Sequence, residues 1–314
     1  MNHSTVITLI TVAITAGTPM VFVAVGELLA QRAGVMNLGL EGMMLVGAVV
    51  AYLTTVTTHS TWLGLLAGAV AGTAMAAIHA TLSITLRANQ IVSGIALVIL
   101  GAGLSELIGS AGSDPLTTKA SGGSFGPVLH GGPANWPLVG PILFGQDVLV
   151  YLSWAFVAAA AFYLFRTRWG LWLRAVGEDP ASADAVGISV ARVRWAHSLF
   201  GGAAAGVGGA YLTLALFNAW QDNLSAGQGW IAFAIVIFCG RRPVLALAAA
   251  YLFGALTGIG FKLQLFHIDV PTQFLSMLPF VVTLVALLLV STGRFGRLDR
   301  EPASLGEPYW RESR

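Results

Sequence analysis

The stretch RTRWGLWLRAVGEDPASADAVGISVARVRWAH, residues 166–197, is the most informative part of this chain for its fold class. It holds five arginines and three acidic residues, although only 10% of the whole chain is charged. Long apolar runs lie on both sides of it, so it cannot be a linker between two soluble domains. Basic residues stay on the cytoplasmic side of short loops in membrane proteins. We therefore predict that residues 166–197 form a cytoplasmic loop of a protein that crosses the membrane several times.

Part of this loop, GEDPASADAVGI at residues 177–188, has the pattern of a short helix. Asp179 suits the N-cap, Pro180 suits the first helical position, and Gly187 suits the residue that ends the helix. A small helix that lies beneath the membrane is a docking element. We therefore expect a partner protein with a complementary groove for this helix.

The composition predicts an all-α polytopic membrane protein. Of the 314 residues, 56% are hydrophobic, and the mean hydropathy is +0.79. A soluble domain carries about 25% charged residues. The segments between the apolar runs are too short to bury cores of their own, so we expect no ATPase or other soluble catalytic domain. The net charge of +2 follows from the basic inner loops and predicts no binding to nucleic acid.

The apolar runs predict about nine membrane-spanning helices, or ten, since each span needs about 20 mainly apolar residues. The runs lie near residues 5–26, 38–56, 62–86, 91–110, 147–165, 195–217, 229–240, 244–262 and 273–292. We therefore predict a transmembrane domain at 1–292 and a C-terminal tail at 293–314.

The basic residues predict the orientation of these spans. With 166–197 inside, only Lys119 and Lys262 of the 16 lysines and arginines lie outside. The N-terminus is then external, and the tail is cytoplasmic. The largest outer loop, residues 111–146, is rich in glycine, proline and serine. It either covers the outer mouth of the protein or forms a landing surface for an external partner.

Glycines recur at four-residue spacing along several of the predicted spans, a pattern that lets helix backbones approach closely in lipid. They are Gly64, Gly68 and Gly72, then Gly202 and Gly206, then Gly254 and Gly258. This spacing predicts tight helix packing and identifies no substrate.

Two segments of the chain also resemble each other. NLGLEGMMLVGAVV at 37–50 and NLSAGQGWIAFAIVIF at 223–238 both place Asn-Leu and a glycine-rich polar stretch before an apolar helix. In the predicted orientation one segment starts toward the cytoplasm and the other toward the outside. This is the pattern of an inverted repeat, whose polar breaks line a central site.

Four polar residues in the apolar runs are candidates for the substrate pathway, because polar groups at membrane depth are costly unless they face a cavity or a partner. Glu41 follows Asn37 by four residues, so both can share one helix face. Alternatively, Glu41 caps a neighbouring helix or pairs with Arg32. Gln90 and Ser93 lie one helical turn apart and either line the pathway or cap the helix at the membrane boundary.

A group of aromatic and polar residues lies around the start of the second repeat-like segment. Its members are Phe217, Asn218, Trp220 and Trp230. Flat rings beside a polar edge suit a nucleobase, because bases stack on aromatic side chains. The alternative is the ordinary aromatic belt at the membrane boundary, which is favoured for Trp220.

Several stretches together resemble the membrane permease subunits of bacterial ABC importers. They are GELLAQRAGVMNLGLEGMMLVGA at 26–48, RANQIVSGIAL at 87–97, LRAVGEDPASADAVGISV at 173–190 and GQGWIAFAIVIFCGRRPV at 227–244. The resemblance is to the branched-chain amino acid and ribose permease superfamily, and within it to nucleoside permeases served by basic-membrane-protein lipoproteins. The arginine pair in CGRRP departs from that pattern, which often has a tryptophan or a small residue there.

This resemblance implies a machine with several subunits in the bacterial cytoplasmic (inner) membrane. The implied partners are a second permease subunit, identical or paralogous, a cytoplasmic ATPase dimer and an extracytoplasmic substrate-binding lipoprotein. It also implies an ATPase-coupling role for residues 178–187 and their surroundings. The residues that match the family at these positions are Gly177, Glu178, Asp179, Ala183 and Gly187.

The functional prediction is the permease subunit of an importer for a nucleoside or related purine or pyrimidine compound. One alternative keeps the machinery and imports a sugar or a branched-chain amino acid. Another is an ion-coupled carrier that uses Glu41 and Glu106, against which the polar docking loop argues. Because no nucleophile–base pair, metal-ligand spacing or phosphate-binding loop occurs, we expect no catalytic residue, metal or cofactor in this chain.

Overall fold

In the computed structural model, all regular elements among the described residues are helical. The structure describes residues 3–111, 115–118, 122–129, 131, 136, 139–265, 272–291 and 301–311. Within these ranges only one isolated bridge, between Pro127 and Asp147, has β-type pairing, and no strand occurs. The all-α prediction is therefore confirmed.

Eleven α-helices follow one another in the described part of the chain. They are α1 (His3–Arg32), α2 (Leu40–Thr58), α3 (Thr61–Ala80), α4 (Gln90–Ser110), α5 (Val148–Arg166), α6 (Arg168–Glu178), α7 (Pro180–Ala185), α8 (Val190–Tyr211), α9 (Gln228–Phe238), α10 (Pro243–Leu265) and α11 (Thr272–Ser291). Short π-helical turns at Thr81–Thr85 and Leu212–Leu216 extend α3 and α8, and a third, Gly140–Phe144, precedes α5.

Six helices in the described residues are long and apolar enough to cross a membrane. They are Ile7–Arg32, Leu40–Thr58, Thr61–Thr85, Gln90–Ser110, Val148–Arg166 and Val190–Leu216. Three shorter apolar helices, Gln228–Phe238, Pro243–Gly258 and Met277–Ala286, coincide with the other predicted runs. The membrane character is therefore confirmed, whereas the count of nine or ten spans stays a prediction.

Helices α1, α2 and α8 form the centre of the bundle. Helix α1 packs against α8 and α10, and α2 packs against α3, α4 and α8. Their side chains, including Leu28 and Met43, supply much of the main hydrophobic core. Helices α4 and α5 lie at the periphery and expose apolar residues such as Ile99, Leu107 and Phe162, as expected of helices that border lipid.

Close backbone contact between α3 and α8 explains the glycine spacing. A Cβ atom at Gly72 would lie 2.2 Å from the carbonyl oxygen of Gly202, and one at Gly206 would lie 2.2 Å from that of Gly68. No side chain fits there, so the backbones themselves form the interface. The predicted small-residue packing is confirmed at this contact.

We expect Gly206→Ala to destabilise the bundle and the matched change Gly103→Ala to leave it intact. The new methyl group of Gly206→Ala must push α8 away from Gly68, and such overpacking costs about 1–3 kcal/mol. Gly103 also lies within a helix, but nothing approaches within 4 Å of its Cβ position. Thermal unfolding of both purified variants checks this, and equal melting temperatures would contradict the packing.

Arg32, Arg87 and Arg241, which were predicted to share one side of the membrane, lie at one end of the bundle. The Arg32 guanidinium donates to the carbonyl oxygen of Arg241 at 3.2 Å, and Arg241 donates to Gln31 Oε1 at 3.1 Å. Arg87 lies over the ring of Trp310, 5.5 Å from its centroid. The arginine pair at 241–242 therefore has a defined place in this end of the fold. Which side of the membrane this end faces stays a prediction.

Candidate functional site

The loop between α1 and α2, residues 33–39, is held by side chains from three helices. The backbone N–H of Met36 donates to Gln90 Oε1 at 2.7 Å, and its carbonyl oxygen lies 3.1 Å from His79 Nε2. The next N–H, of Asn37, donates to Glu27 Oε1 at 3.0 Å. Ser93 Oγ lies 3.1 Å from the other ring nitrogen of His79. Gln90 and Ser93 therefore fix this turn, directly and through the imidazole.

Asn37 shapes the same turn from within. Its side-chain oxygen accepts from the backbone N–H of Gly39 at 2.8 Å, the local bond that asparagine commonly forms in turns. Its amide nitrogen lies 3.4 Å from the sulfur of Met43. The expectation that Asn37 and Glu41 share a helix face is wrong, because α2 begins only at Leu40.

The carboxyl group of Glu41 joins α2 to the start of α9. Its Oε1 accepts from the hydroxyl of Ser225 at 2.5 Å and the N–H of Gly227 at 2.9 Å. Its Oε2 accepts from the N–H of Gly229 at 2.7 Å. Glu41 is 96% shielded from solvent, and a helix N-terminus favours acidic groups because its first N–H groups lack partners. Of the roles considered for Glu41, the structure shows the one in which its side chain caps a neighbouring helix, here α9.

We call this contact the Glu41 junction, meaning Glu41 with residues 225–229. It brings the two repeat-like segments together, because Glu41 belongs to the first and residues 225–229 to the second. A Cβ at Gly229 would lie 2.6 Å from the Cα of Glu41, so the starts of α2 and α9 touch. An inverted repeat around a central site would place its polar breaks in this way. The repeat itself stays a prediction.

Two buried glutamines near this region carry unpaired polar atoms: Gln90, which binds the 33–39 turn, and Gln228, which belongs to the Glu41 junction. Gln90 Nε2 and Gln228 Oε1 are buried, and neither has a hydrogen-bond partner in the described part of the chain. One is a donor and the other an acceptor. Leaving such a group unsatisfied costs about 1–3 kcal/mol. A polar ligand or water molecule that reached them would remove that cost.

The aromatic and polar residues predicted beside this region differ in burial. Phe217 and Trp230 are 37% and 36% exposed, and Asn218 lies in an exposed turn with a positive φ of 52°. Trp220 is only 2% exposed and packs in a hydrophobic cluster with Tyr52 and other residues. The interpretation of Trp220 as a boundary-belt residue is therefore wrong. Contact of any of these residues with substrate stays a prediction.

The predicted docking helix is present as α7. Asp179 caps it by accepting from the N–H groups of Ala181 at 3.1 Å and Ser182 at 3.0 Å, and from the Ser182 hydroxyl. The bonds from Ser182 lower the pKa of Asp179. At a pH above the ordinary carboxyl pKa, Asp179 is therefore ionised and the stabilisation by its cap is fully present. This stabilisation is lost as the pH falls through the lowered pKa of Asp179. Pro180 occupies the first position of the helix, as expected.

The remaining residues of the predicted coupling group divide into buried and exposed members. Ala183 is buried against Val176 and Val190. Gly187 has a φ of +86° and ends the helix, where its N–H donates to the carbonyl oxygen of Asp184 at 3.0 Å. Gly177 packs on the end of α1, and Glu178 is exposed. The exposed Glu178 therefore lies directly before α7, and α7 packs on the apolar cluster through Ala183.

The sequence interpretation missed Glu27 and His79, which hold the turn at 33–39. Both are ionisable residues in helices that are apolar enough to cross a membrane, and an ionisable group in an apolar helix is the signal that singled out Glu41. The searched residues contain no group of three histidine, cysteine, aspartate or glutamate side chains suited to a metal ion.

Comparison with known proteins identifies the family. The family described as the permease component of the branched-chain amino acid transport system matches residues 9–288. The chain belongs to this family. The permease is therefore a multi-pass protein of the cytoplasmic (inner) membrane, and its relatives are membrane subunits of ABC transporters, which are not enzymes themselves. No solved structure matches this chain.

Three relatives of this permease cover most of its length. The nucleoside ABC transporter permease protein NupC of Lactococcus lactis is 35% identical, over 87% of this chain and 88% of its own. The guanosine ABC transporter permease protein NupQ of Bacillus subtilis is 34% identical, over 93% and 92%. The putative glucose ABC transporter permease protein TsgC13 of Haloferax volcanii is 40% identical, over 82% and 78%.

Proposed function

We propose that this permease imports a nucleoside or a related purine or pyrimidine compound, driven by ATP hydrolysis on a separate subunit. The observation that carries the proposal is its similarity to two relatives named for nucleoside and guanosine transport, which extends over 87% and 93% of the chain. Its partners would be a cytoplasmic ATPase dimer, a second permease subunit and an extracytoplasmic binding lipoprotein, as the ABC family implies.

The chemistry around the Glu41 junction supports a nucleoside as cargo. Gln90 offers an unpaired donor and Gln228 an unpaired acceptor, and the edge of a nucleobase carries both complementary groups. Phe217 and Trp230 expose part of their rings, and stacking of a base on an aromatic ring contributes about 1–3 kcal/mol. In this proposal those four residues meet the cargo.

The other predicted pathway residues have supporting roles in this proposal. Asn37 and Ser93 hold the turn at 33–39, and Glu41 holds the start of α9. Asn218 and Trp220 closely follow Phe217 in the chain.

A sugar is the second candidate, because the permease is 40% identical to a relative named for glucose transport. A sugar has many hydroxyl groups that the two glutamine amides could bind. It has no flat aromatic ring, so it would gain less from stacking on Phe217 and Trp230.

Competition for uptake separates these cargoes. We expect cells that carry the permease and its natural partners to take up radiolabelled guanosine, and we expect cells without the permease gene to lose this uptake. A hundredfold excess, roughly, of unlabelled adenosine or uridine should suppress the uptake, since cargoes of one site compete in proportion to their affinities. Glucose and leucine serve as controls. Permease-dependent glucose uptake that nucleosides do not suppress would overturn the nucleoside proposal.

A further inference from the structure

The C-terminal residues 301–311, which we call the tail strap, bind the end of α6. Ser304 is only 6% exposed. Its N–H donates to the carbonyl oxygen of Gly177 at 3.0 Å, and its hydroxyl donates to the same oxygen at 2.7 Å. The tail strap is thereby fixed two residues before Asp179, the residue that caps α7.

The tail strap also binds the loop that leads to Glu41. The N–H of Gly306 donates to the carbonyl oxygen of Gly34 at 3.2 Å. Arg194 of α8 is buried and connects both segments, because it donates to the carbonyl oxygen of Ala33 at 3.2 Å and to Ser304 Oγ at 3.1 Å. A third bond from Arg194 reaches the carbonyl oxygen of Glu307 at 2.9 Å. One side chain therefore holds the strap and the 33–39 turn together.

The far end of the tail strap reaches α7 itself. The Tyr309 hydroxyl donates to Asp184 Oδ2 at 3.2 Å, and Arg311 Nε lies 3.0 Å from the same oxygen. Arg311 is mostly exposed, so solvent screens this ion pair and the buried Ser304 contacts hold the strap more firmly. The strap therefore touches the chain just before α7 and also a side chain within α7.

We propose that the tail strap positions the coupling helix, so that a push on α7 moves the 33–39 turn and, through it, the Glu41 junction. Helix α7 has six residues and is too short to be stable alone, so its position depends on what it contacts. The strap and Arg194 join it to the turn, and this turn runs directly into α2, which carries Glu41. These contacts form one continuous chain of hydrogen bonds and packed backbone from the docking helix to the start of α9.

This inference rests on the proposed ATP-driven transport, but its first test does not. A spin label at Val186, which is 77% exposed at the end of α7, reports how firmly the helix is held. The only native cysteine, Cys239, is buried, so a Val186→Cys thiol is the accessible one. We expect Ser304→Ala, and more strongly a chain ending at residue 300, to increase the label's mobility. The matched change Ala303→Ser, at an exposed neighbour, should not.

The second test measures uptake and ATP hydrolysis together in the assembled transporter. We expect Ser304→Ala to lower the amount of cargo taken up per ATP by about fivefold, and the truncated chain by about tenfold or more, within the range of known coupling effects. An unchanged label mobility in both variants would overturn the positioning role, and so would increased mobility with unchanged uptake per ATP. Failure of the proposed function is distinguishable, because the unaltered permease would then take up cargo without ATP.

Discussion

Glu41→Gln should abolish uptake, or reduce it by about a hundredfold, while the protein still reaches the membrane. Glu41 has three described hydrogen bonds, and all are accepted from residues 225–229. A glutamine at this position replaces one acceptor oxygen with an NH2 group, which then faces a hydrogen-bond donor. Bonds to a charged group are worth about 1.5–3 kcal/mol each, and the buried N–H left unpaired adds a similar cost. Glu41→Gln therefore weakens the hydrogen bonds that hold the start of α9.

The control for this change is Glu106→Gln. Glu106 also lies in an apolar helix, but it is exposed, and no described hydrogen bond depends on it. It should keep uptake and thermal stability close to those of the unaltered permease. We expect Glu41→Gln to lower the melting temperature of the purified protein as well, because α9 is less firmly held. Uptake by Glu41→Gln equal to that by Glu106→Gln would contradict the role of the Glu41 junction.

Reversing the charge of the exposed coupling residue, Glu178→Lys, should reduce uptake by about tenfold or more. Its side chain has no described contact that supports the fold, so the permease itself should keep its stability. We expect the partner surface that meets this exposed acid to be basic, so the new lysine would place like charges together in the docked complex, which costs several kcal/mol. Asp222→Lys makes the same change in charge at an exposed acid away from α7 and serves as the control.

Two changes at Asp179 separate its charge from its cap. Asp179→Asn keeps a good N-cap for α7, whereas Asp179→Ala removes it. If α7 must be folded to dock, Asp179→Ala should impair uptake more than Asp179→Asn does. Equal uptake in both variants would contradict a requirement for the capped helix.

The fold could be predicted from the sequence where local chemistry decides it. The apolar runs predicted the positions of the membrane helices. Asp179, Pro180 and Gly187 predicted both ends of α7, because capping depends on neighbouring residues only. The glycine spacing predicted that some backbones touch. It could not tell which helices meet, since the contact of Gly206 with Gly68 joins residues far apart in the chain.

The candidate site was predictable only in part, for the same reason. Glu41 stood out as an acid in an apolar run, but its partners lie 184 and more residues away, and no local rule finds them. Asn37 was wrongly placed on the face of α2 because the turn before that helix depends on Gln90 and His79. The tail strap showed no signal, because residues 301–311 have no periodic apolar pattern and their positions are fixed by distant carbonyl groups.

The most direct test of the account measures guanosine uptake and ATP hydrolysis together, in proteoliposomes that contain the permease with its ATPase, second permease and binding lipoprotein. We expect ATP-dependent uptake for the unaltered permease and for Asp222→Lys, and loss of uptake for Glu178→Lys. We expect no uptake when the ATPase is left out. Uptake by the permease without the ATPase, or unchanged uptake by Glu178→Lys, would contradict the claim that transport is driven through α7 and the residues beside it.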